Sequence, residues 1–256
     1  YGTHFHIGHI ANDMFNTSKA SQYYFYQFKR FLGVNNNTIQ SCKDFLDKHN
    51  IDYIADSDII NFYIPIGHSK LKISIIELIK LFFKALKFLI CDKLNLDINM
   101  TIDIILTCPA YFHDLQRSQL ERAVKGANFT IFKLYNEPTA ATIYYINKTP
   151  NLDIENNKLI IYDLGGGTID TTVVEYSSTD NICEVIDIDG NNTLGGIDID
   201  ILLCNDIYNK YHIDKTNTKW YYRIKKCAED IKIKLSYTEL YTAYLDNIPI
   251  KKHNII

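Results

Sequence analysis

The sequence predicts an α/β protein, and three observations lead there. From residue 74 onward, β-branched apolar runs of strand length alternate with segments whose apolar residues recur at helical spacing. Proline or glycine punctuates most of the connections. One glycine-rich turn joins two strands directly, which makes part of the sheet antiparallel and the sheet mixed. With 256 residues, 46% of them apolar, the chain holds one large or two modest domains and is no disordered tail.

The first 72 residues show no clear period, with an Asn run at Asn35 to Asn37, and no element is placed there. A helix is expected over 75–90. It opens on a capping box, Ser74 with Glu77, and Glu77, Lys80, Lys84 and Lys87 recur at helical spacing, leaving a wide apolar face. That pattern is an amphipathic core helix and not a membrane span. A strand follows near Thr101 to Thr107, then Pro109 and a helix from Leu115 to Ala127 capped by Asp114. After a strand at Thr130 to Tyr135, Pro138 sits in the first turn of a helix running to Ile146. Polar Asn147 to Asn157, with Pro150, reads as a linker dividing a first lobe, 1–150, from a second, 151–256. Lys158 to Tyr176 reads as two strands joined by Leu164-Gly165-Gly166-Gly167, with a third strand over Cys183 to Ile188. Helices over 198–210 and 219–235 and a strand at Tyr241 to Ile250 complete the pattern.

Charge narrows function. With 27 basic and 30 acidic side chains the net charge is -3, so no basic excess is available to neutralise the phosphates of a nucleic acid. The six cysteines are scattered without a C-x-x-C pair, which suits mostly buried thiols in a reducing compartment better than a disulfide framework. The start at Tyr1 shows no signal-peptide pattern and, lacking Met, reads as that of a fragment.

Glycine is where the chemistry concentrates. There are only 11, and six of them fall between positions 165 and 196. In Asp163-Leu164-Gly165-Gly166-Gly167-Thr168-Ile169-Asp170, three residues without Cβ let the backbone approach a ligand and turn N–H groups toward phosphate oxygens. Thr168 adds a hydroxyl. Asp163 and Asp170 bracket the turn as a pair of carboxylates suited to hydrated Mg²⁺. The run is neither a Walker loop nor a dinucleotide fingerprint, because no Gly-Lys-Ser/Thr follows and the next element is a strand. A plain tight hairpin with solvated acids has the same pattern. Gly195-Gly196 precedes a helix whose N-terminal N–H groups can face an anion, or is only a turn. Glu229, Lys232, Ile233 and Ser236 share one helical face that can bind a ribose and lie against a flat base, or is merely a solvated charged strip.

Together with Pro109-Ala110-Tyr111-Phe112-His113-Asp114-Leu115-Gln116-Arg117 and Asn136-Glu137-Pro138-Thr139-Ala140-Ala141, the glycine hairpin resembles the ATPase domain of the seventy-kilodalton heat-shock (Hsp70, DnaK-like) chaperones. The resemblance is strong from Thr101 to Cys204 and resumes from Arg223 to about Ile250. It implies an actin-like ATPase fold, two lobes with mixed sheets flanked by helices around a cleft holding MgATP, here incomplete at both ends. Gly165, Gly166, Gly167 and Thr168 then match the loop for the β- and γ-phosphates. Glu137, Asp163 and Asp170 match the carboxylates that position Mg²⁺, mostly through water, and the attacking water. Lys29 matches the lysine that reaches the γ-phosphate, although an ordinary surface lysine fits its neighbourhood too. Glu229, Lys232, Ile233 and Ser236 match the adenosine helix, and Gly195 and Gly196 the second glycine turn near the nucleotide. Pro109 and Arg117 match positions that relay nucleotide state, or simply end a strand and supply a helix cation.

The resemblance implies an ATP-dependent protein-folding chaperone of the stress response, in which hydrolysis of ATP to ADP drives peptide grip and release. J-domain co-chaperones and nucleotide-exchange factors are its implied partners, and unfolded polypeptides bind only through a domain absent from this sequence. No nucleic-acid or membrane role is implied, and the setting is intracellular, in cytoplasm or an organelle such as a mitochondrion or plastid. The chain departs from the family pattern in having no Gly-Thr-Thr phosphate hairpin upstream of Lys29, no later glycine-arginine motif, Ile197 in place of an acid, and His113 in place of a small amide. The alternative is therefore a truncated, non-hydrolysing module for nucleotide sensing or protein interaction. A sugar kinase of the same fold is disfavoured by the Pro109 and Asn136 runs.

Overall fold

The computed structural model describes residues 7–8, 25, 27–34, 38–48, 52–56, 58–66, 68–149, 157–177, 180, 182–191, 194–214, 218–245 and 248–253. A short 3₁₀ turn, Phe28–Phe31, and helix α1, Ile39–Lys48, precede a three-stranded antiparallel meander. Its strands are β1, Tyr53–Asp56, β2, Ile59–Ile66, and β3, Ser69–Ser74. The sequence reading placed nothing here. The reason is burial: Ile60, Asn61 and Phe62 are all buried, so β2 lacks an alternating pattern, while β3 is mostly exposed.

Helix α2, Ile75–Leu94, starts where the capping box places it, with Ser74 Oγ accepting from Glu77 N–H at 3.2 Å. Asn95, with φ 52°, ends it in the left-handed conformation. Among the described residues no helix is long and apolar enough to cross a membrane. Strands β4, Ile102–Cys108, and β5, Phe129–Asn136, pair in parallel and are joined by α3, Asp114–Gly126. The cap of α3 is His113 and not Asp114, which is the first helical residue; His113 N–H donates to Gln116 Oε1 at 3.1 Å. Strand β5 runs directly into α4, Glu137–Lys148, so Glu137 sits at the seam between the two.

The glycine-rich segment lies in a second antiparallel meander, β6, Asn157–Leu164, β7, Ile169–Ser177, and β8, Ile182–Asn191, which packs on α4. Helices α5, Gly196–Tyr211, and α6, Thr218–Leu235, follow, α5 starting two residues earlier than expected. The single strand expected at Tyr241 to Ile250 is a hairpin, β9, Leu240–Leu245, and β10, Ile248–His253. The parallel pair and the antiparallel meanders, with helices against them, make the α/β architecture.

Among the described residues there are two large buried clusters and a smaller one at Val124, Ala127 and Phe129. One large cluster gathers Phe31, Leu46, Ile60, Phe62, Ile75 and Leu78 beneath the 3₁₀ turn, and the other Ile207, Ile224, Ile231, Leu245 and Ile250 between α5, α6 and the terminal hairpin. Gly33 ties the 3₁₀ turn to α3. Its φ is +60°, its N–H donates to Gln119 Oε1 at 2.8 Å, and a Cβ there would lie 2.3 Å from Gln116 Cγ. This junction fixes the segment carrying Lys29 and Arg30.

Candidate functional site

Register places the two hairpin carboxylates opposite one another, Asp163 against Asp170, with Leu164 against Ile169 closing the strands. The four-residue loop between them is held by Gly165 N–H donating to Thr168 O at 2.9 Å. Opposed residues share a face of the sheet. Asp163 is exposed; Asp170 is only 9% exposed, and its Oδ1 is buried without a hydrogen-bond partner. Thr168 Oγ1 donates to the other oxygen, Oδ2, at 3.4 Å. Burial pushes the Asp170 carboxyl above its ordinary range; Asp163 and Glu137 push the same way, against Thr168 and Lys29.

Glu137 reaches this pair from the β5–α4 seam. Its Oε1 lies 2.7 Å from Lys29 Nζ, an ion pair linking residues 108 apart in sequence. A small recess beside it is lined by Pro109, Ala110, Glu137, Asp163, Asp170 and Thr172. The five predicted residues Lys29, Glu137, Asp163, Thr168 and Asp170 are thus brought together from three separate stretches of chain. Tyr111 joins them beside Thr168 and Asp170, and burial raises its hydroxyl far above the ordinary tyrosine range, reinforced by the Asp170 charge. A cleft of about 380 Å³ opens alongside, lined by Lys29, Arg30, Tyr111, Thr168 and Gly190 among others.

Arg117 staples the loop that carries Pro109 and Tyr111. Its guanidinium donates to Phe112 O at 2.7 Å, Cys108 Sγ at 3.0 Å, Pro109 O at 3.5 Å, Ala110 O at 3.2 Å and Asn136 Oδ1 at 2.9 Å. Burial raises the Cys108 thiol above its ordinary value, and the Arg117 charge opposes that rise. The last of the five contacts ties the loop to the residue just before Glu137.

The sequence reading expected free N–H groups at the second glycine turn, but this turn lies against the hairpin and its first donors are engaged. Gly196 N–H donates to Gly165 O at 3.0 Å and Ile197 N–H to Gly166 O at 2.8 Å, so these helix N-terminal donors are spent on the first loop. Lys232, from α6, donates to Gly196 O at 2.9 Å and pairs with Asp200 at 2.7 Å. Burial raises the Asp200 carboxyl, and Lys232 opposes that. The rest of the predicted adenosine strip stays on α6, away from the carboxylates. Glu229 accepts from Lys226 at 3.3 Å, Ile233 is half-exposed, and Ser236 Oγ donates to Lys232 O at 3.2 Å.

Sequence reasoning missed Arg30. It is one of only four arginines in the chain, and its guanidinium donates to Gly167 O and lies 3.5 Å from Asp198 Oδ2. The rarity that made glycine legible also applies to arginine, since Arg30 and Arg117 both lie at this site.

A family model for Hsp70 protein matches residues 6–255. The chain belongs to the Hsp70 family. Among curated Hsp70 relatives, chaperone protein HscA of Buchnera aphidicola (subsp. Baizongia pistaciae) is 39% identical over 158 residues, covering 60% of this chain and 29% of the relative. The movement protein Hsp70h of Lettuce infectious yellows virus is 30% identical over 193 residues, 75% of this chain and 33% of its own length. Chaperone protein DnaK of Thermoplasma volcanium is 37% identical over 142 residues, 53% of this chain and 22% of its own. The chain thus spans between about a fifth and a third of the length of these relatives.

Proposed function

We propose that the chain binds ATP and ADP with their phosphates against Gly165 to Thr168, and that the complete protein hydrolyses ATP to drive grip and release of unfolded polypeptide. The observation that carries this reading is the convergence of Lys29, Glu137, Asp163 and Asp170 around the glycine loop, with the 2.7 Å Lys29–Glu137 pair closing the group. In this reading the two lobes, 1–150 and 151–256, contribute unequally. The first supplies Lys29 and Glu137, and the second supplies the phosphate loop, both aspartates and the adenosine helix.

The carboxylates suit a cation. A buried Asp170 oxygen without a hydrogen-bond partner, crowded by Asp163 and Glu137, is an electrostatic cost that a divalent ion relieves. Among the described residues no three His, Cys, Asp or Glu side chains are close enough to ligate a metal directly, so these groups act on the waters of Mg²⁺. Glu137, Asp163 and Asp170 would hold it, and Mg²⁺ when bound neutralises phosphate charge. Lys29 leaves Glu137 for the γ-phosphate, where its ammonium offsets developing negative charge. Glu137, freed of that pair, orients the attacking water and accepts its proton. Pro109, in the loop before α3, and Arg117, in the first turn of α3, carry the change outward to the peptide-binding part and to J-domain and exchange-factor partners.

Calorimetry with ADP and ATP tests the reading. Mg²⁺-dependent binding of both is expected, and binding of neither contradicts it. Binding without phosphate release instead supports a non-hydrolysing, nucleotide-sensing module.

A further inference from the structure

Three successive carbonyls of the phosphate loop each accept a hydrogen bond from outside it. Gly165 O accepts from Gly196 N–H at 3.0 Å, Gly166 O from Ile197 N–H at 2.8 Å, and Gly167 O from the Arg30 guanidinium. No described peptide bond is cis, and in a trans peptide plane the C=O and the following N–H point in opposite directions. Anchoring the three carbonyls on the side of α5 and Arg30 therefore turns the N–H groups of Gly166, Gly167 and Thr168 to the other side.

The surroundings are built for this contact. A Cβ at Gly195 would lie 2.6 Å from Gly167 N and 2.7 Å from Gly166 C, so α5 meets the loop only because position 195 has no side chain. The Arg30 side chain is 8% exposed and shares its Nη2 with Asp198 Oδ2, and the same oxygen accepts from Gly195 N–H at 2.8 Å. Arg30, Asp198 and the turn at Gly195 to Ile197 are thus one bonded unit wrapped around the loop. A guanidinium suits the task because it donates to two acceptors at once and remains charged when desolvated.

We propose that Arg30 is a positioning residue which, with the α5 N-terminal turn, clamps the loop carbonyls so that three N–H groups stand as preorganised phosphate donors. The inference rests on the nucleotide reading above, and it assigns Gly195 and Gly196 to support of the phosphate loop in place of direct contact with the nucleotide. Preorganisation matters because donors fixed before the ligand arrives need no reorganisation when charge is brought to them.

The test uses the full chain, with Arg30→Gln, Arg30→Lys and Gly195→Ala, and two readouts. Amide shifts of Gly166, Gly167 and Thr168 are compared in the nucleotide-free proteins, and ADP and AMP affinities are measured by calorimetry. Arg30→Gln is expected to move the three amide signals and to weaken ADP about tenfold or more, the loss of one charge-assisted hydrogen bond's worth of orientation, with AMP little changed. Arg30→Lys restores part of the ADP affinity, because an ammonium can still donate to Gly167 O. Gly195→Ala, if it folds, reproduces the ADP defect. Unmoved loop amides in Arg30→Gln, or equal losses for ADP and AMP, overturn the clamp. If the wild-type chain binds no nucleotide, the earlier reading fails, and the amide shifts alone still decide the clamp.

Discussion

Asp170→Asn is expected to make the nucleotide-free chain more stable and its nucleotide binding worse. The wild-type carboxyl is buried, has one oxygen without a hydrogen-bond partner, and faces Asp163 and Glu137, so its folded pKa lies above the unfolded value. The sign of the consequence is fixed by linkage. A native state that holds the proton more tightly gains stability from this group below the unfolded pKa and loses it as pH rises through the raised folded one. Above that raised folded pKa the native chain carries the burden of the buried charge. The amide of Asn removes that burden at nearly constant shape, so its melting temperature rises at pH 7 and changes less between pH 4 and 7 than that of the wild type. Function goes the other way: without the carboxylate, Mg²⁺-dependent ADP affinity falls roughly 10- to 100-fold, the range for losing an outer-sphere group at a metal site. Thermal melts across pH and ADP titrations with and without Mg²⁺ check both halves. A melting temperature that falls in the variant contradicts the account of Asp170 as a strained, cation-seeking group.

Arg117→Ala is expected to lower stability by about 3 kcal/mol, the scale for removing a charged hub from several hydrogen bonds and leaving its acceptors unpaired. Five contacts disappear together, to Phe112 O, Cys108 Sγ, Pro109 O, Ala110 O and Asn136 Oδ1. Most of these acceptors belong to the 109–112 loop, and the last immediately precedes Glu137, so the loss spreads to the Lys29–Glu137 pair as well. Arg117→Lys recovers little, because a single ammonium cannot reproduce a planar fork of donors. Denaturant melts of the two variants provide the measure. Wild-type stability in Arg117→Ala would show that the staple holds nothing that water does not replace.

The glycine hairpin was legible because its signal is local: three residues without Cβ between β-branched runs, with an acid at each end in a register the strands impose. The capping box at Ser74 and Glu77 was legible for the same reason, since every group involved lies within one turn. What the sequence hid is what docking creates. The β2 and β3 part of the meander over 53–74 has no period-2 signature because β2 is buried through Ile60, Asn61 and Phe62, and β3 is mostly exposed. The terminal hairpin was merged into one strand although Asp246 and Asn247, turn-forming types, stand between its two halves. The cap of α3 shifted by one residue because Gln116 reaches back to His113, a choice that the nearby Asp114 obscured. At the site, the sequence set Gly195-Gly196 beside the nucleotide, and only the meeting of α5 with the loop shows the Gly196 and Ile197 N–H groups engaged by the Gly165 and Gly166 carbonyls. Arg30 went unassigned because its acceptors, Gly167 O and Asp198, lie 137 and 168 residues away.

The central claim is that Gly165 to Thr168 and the surrounding carboxylates form one nucleotide site. A crystal structure of the chain soaked with ADP and Mg²⁺ tests it most directly. The account predicts the β-phosphate within hydrogen-bond distance of the N–H groups of Gly166, Gly167 and Thr168, with the cation's waters on Asp163 and Asp170. Phosphate density elsewhere, with the loop and Asp170 untouched, would contradict it.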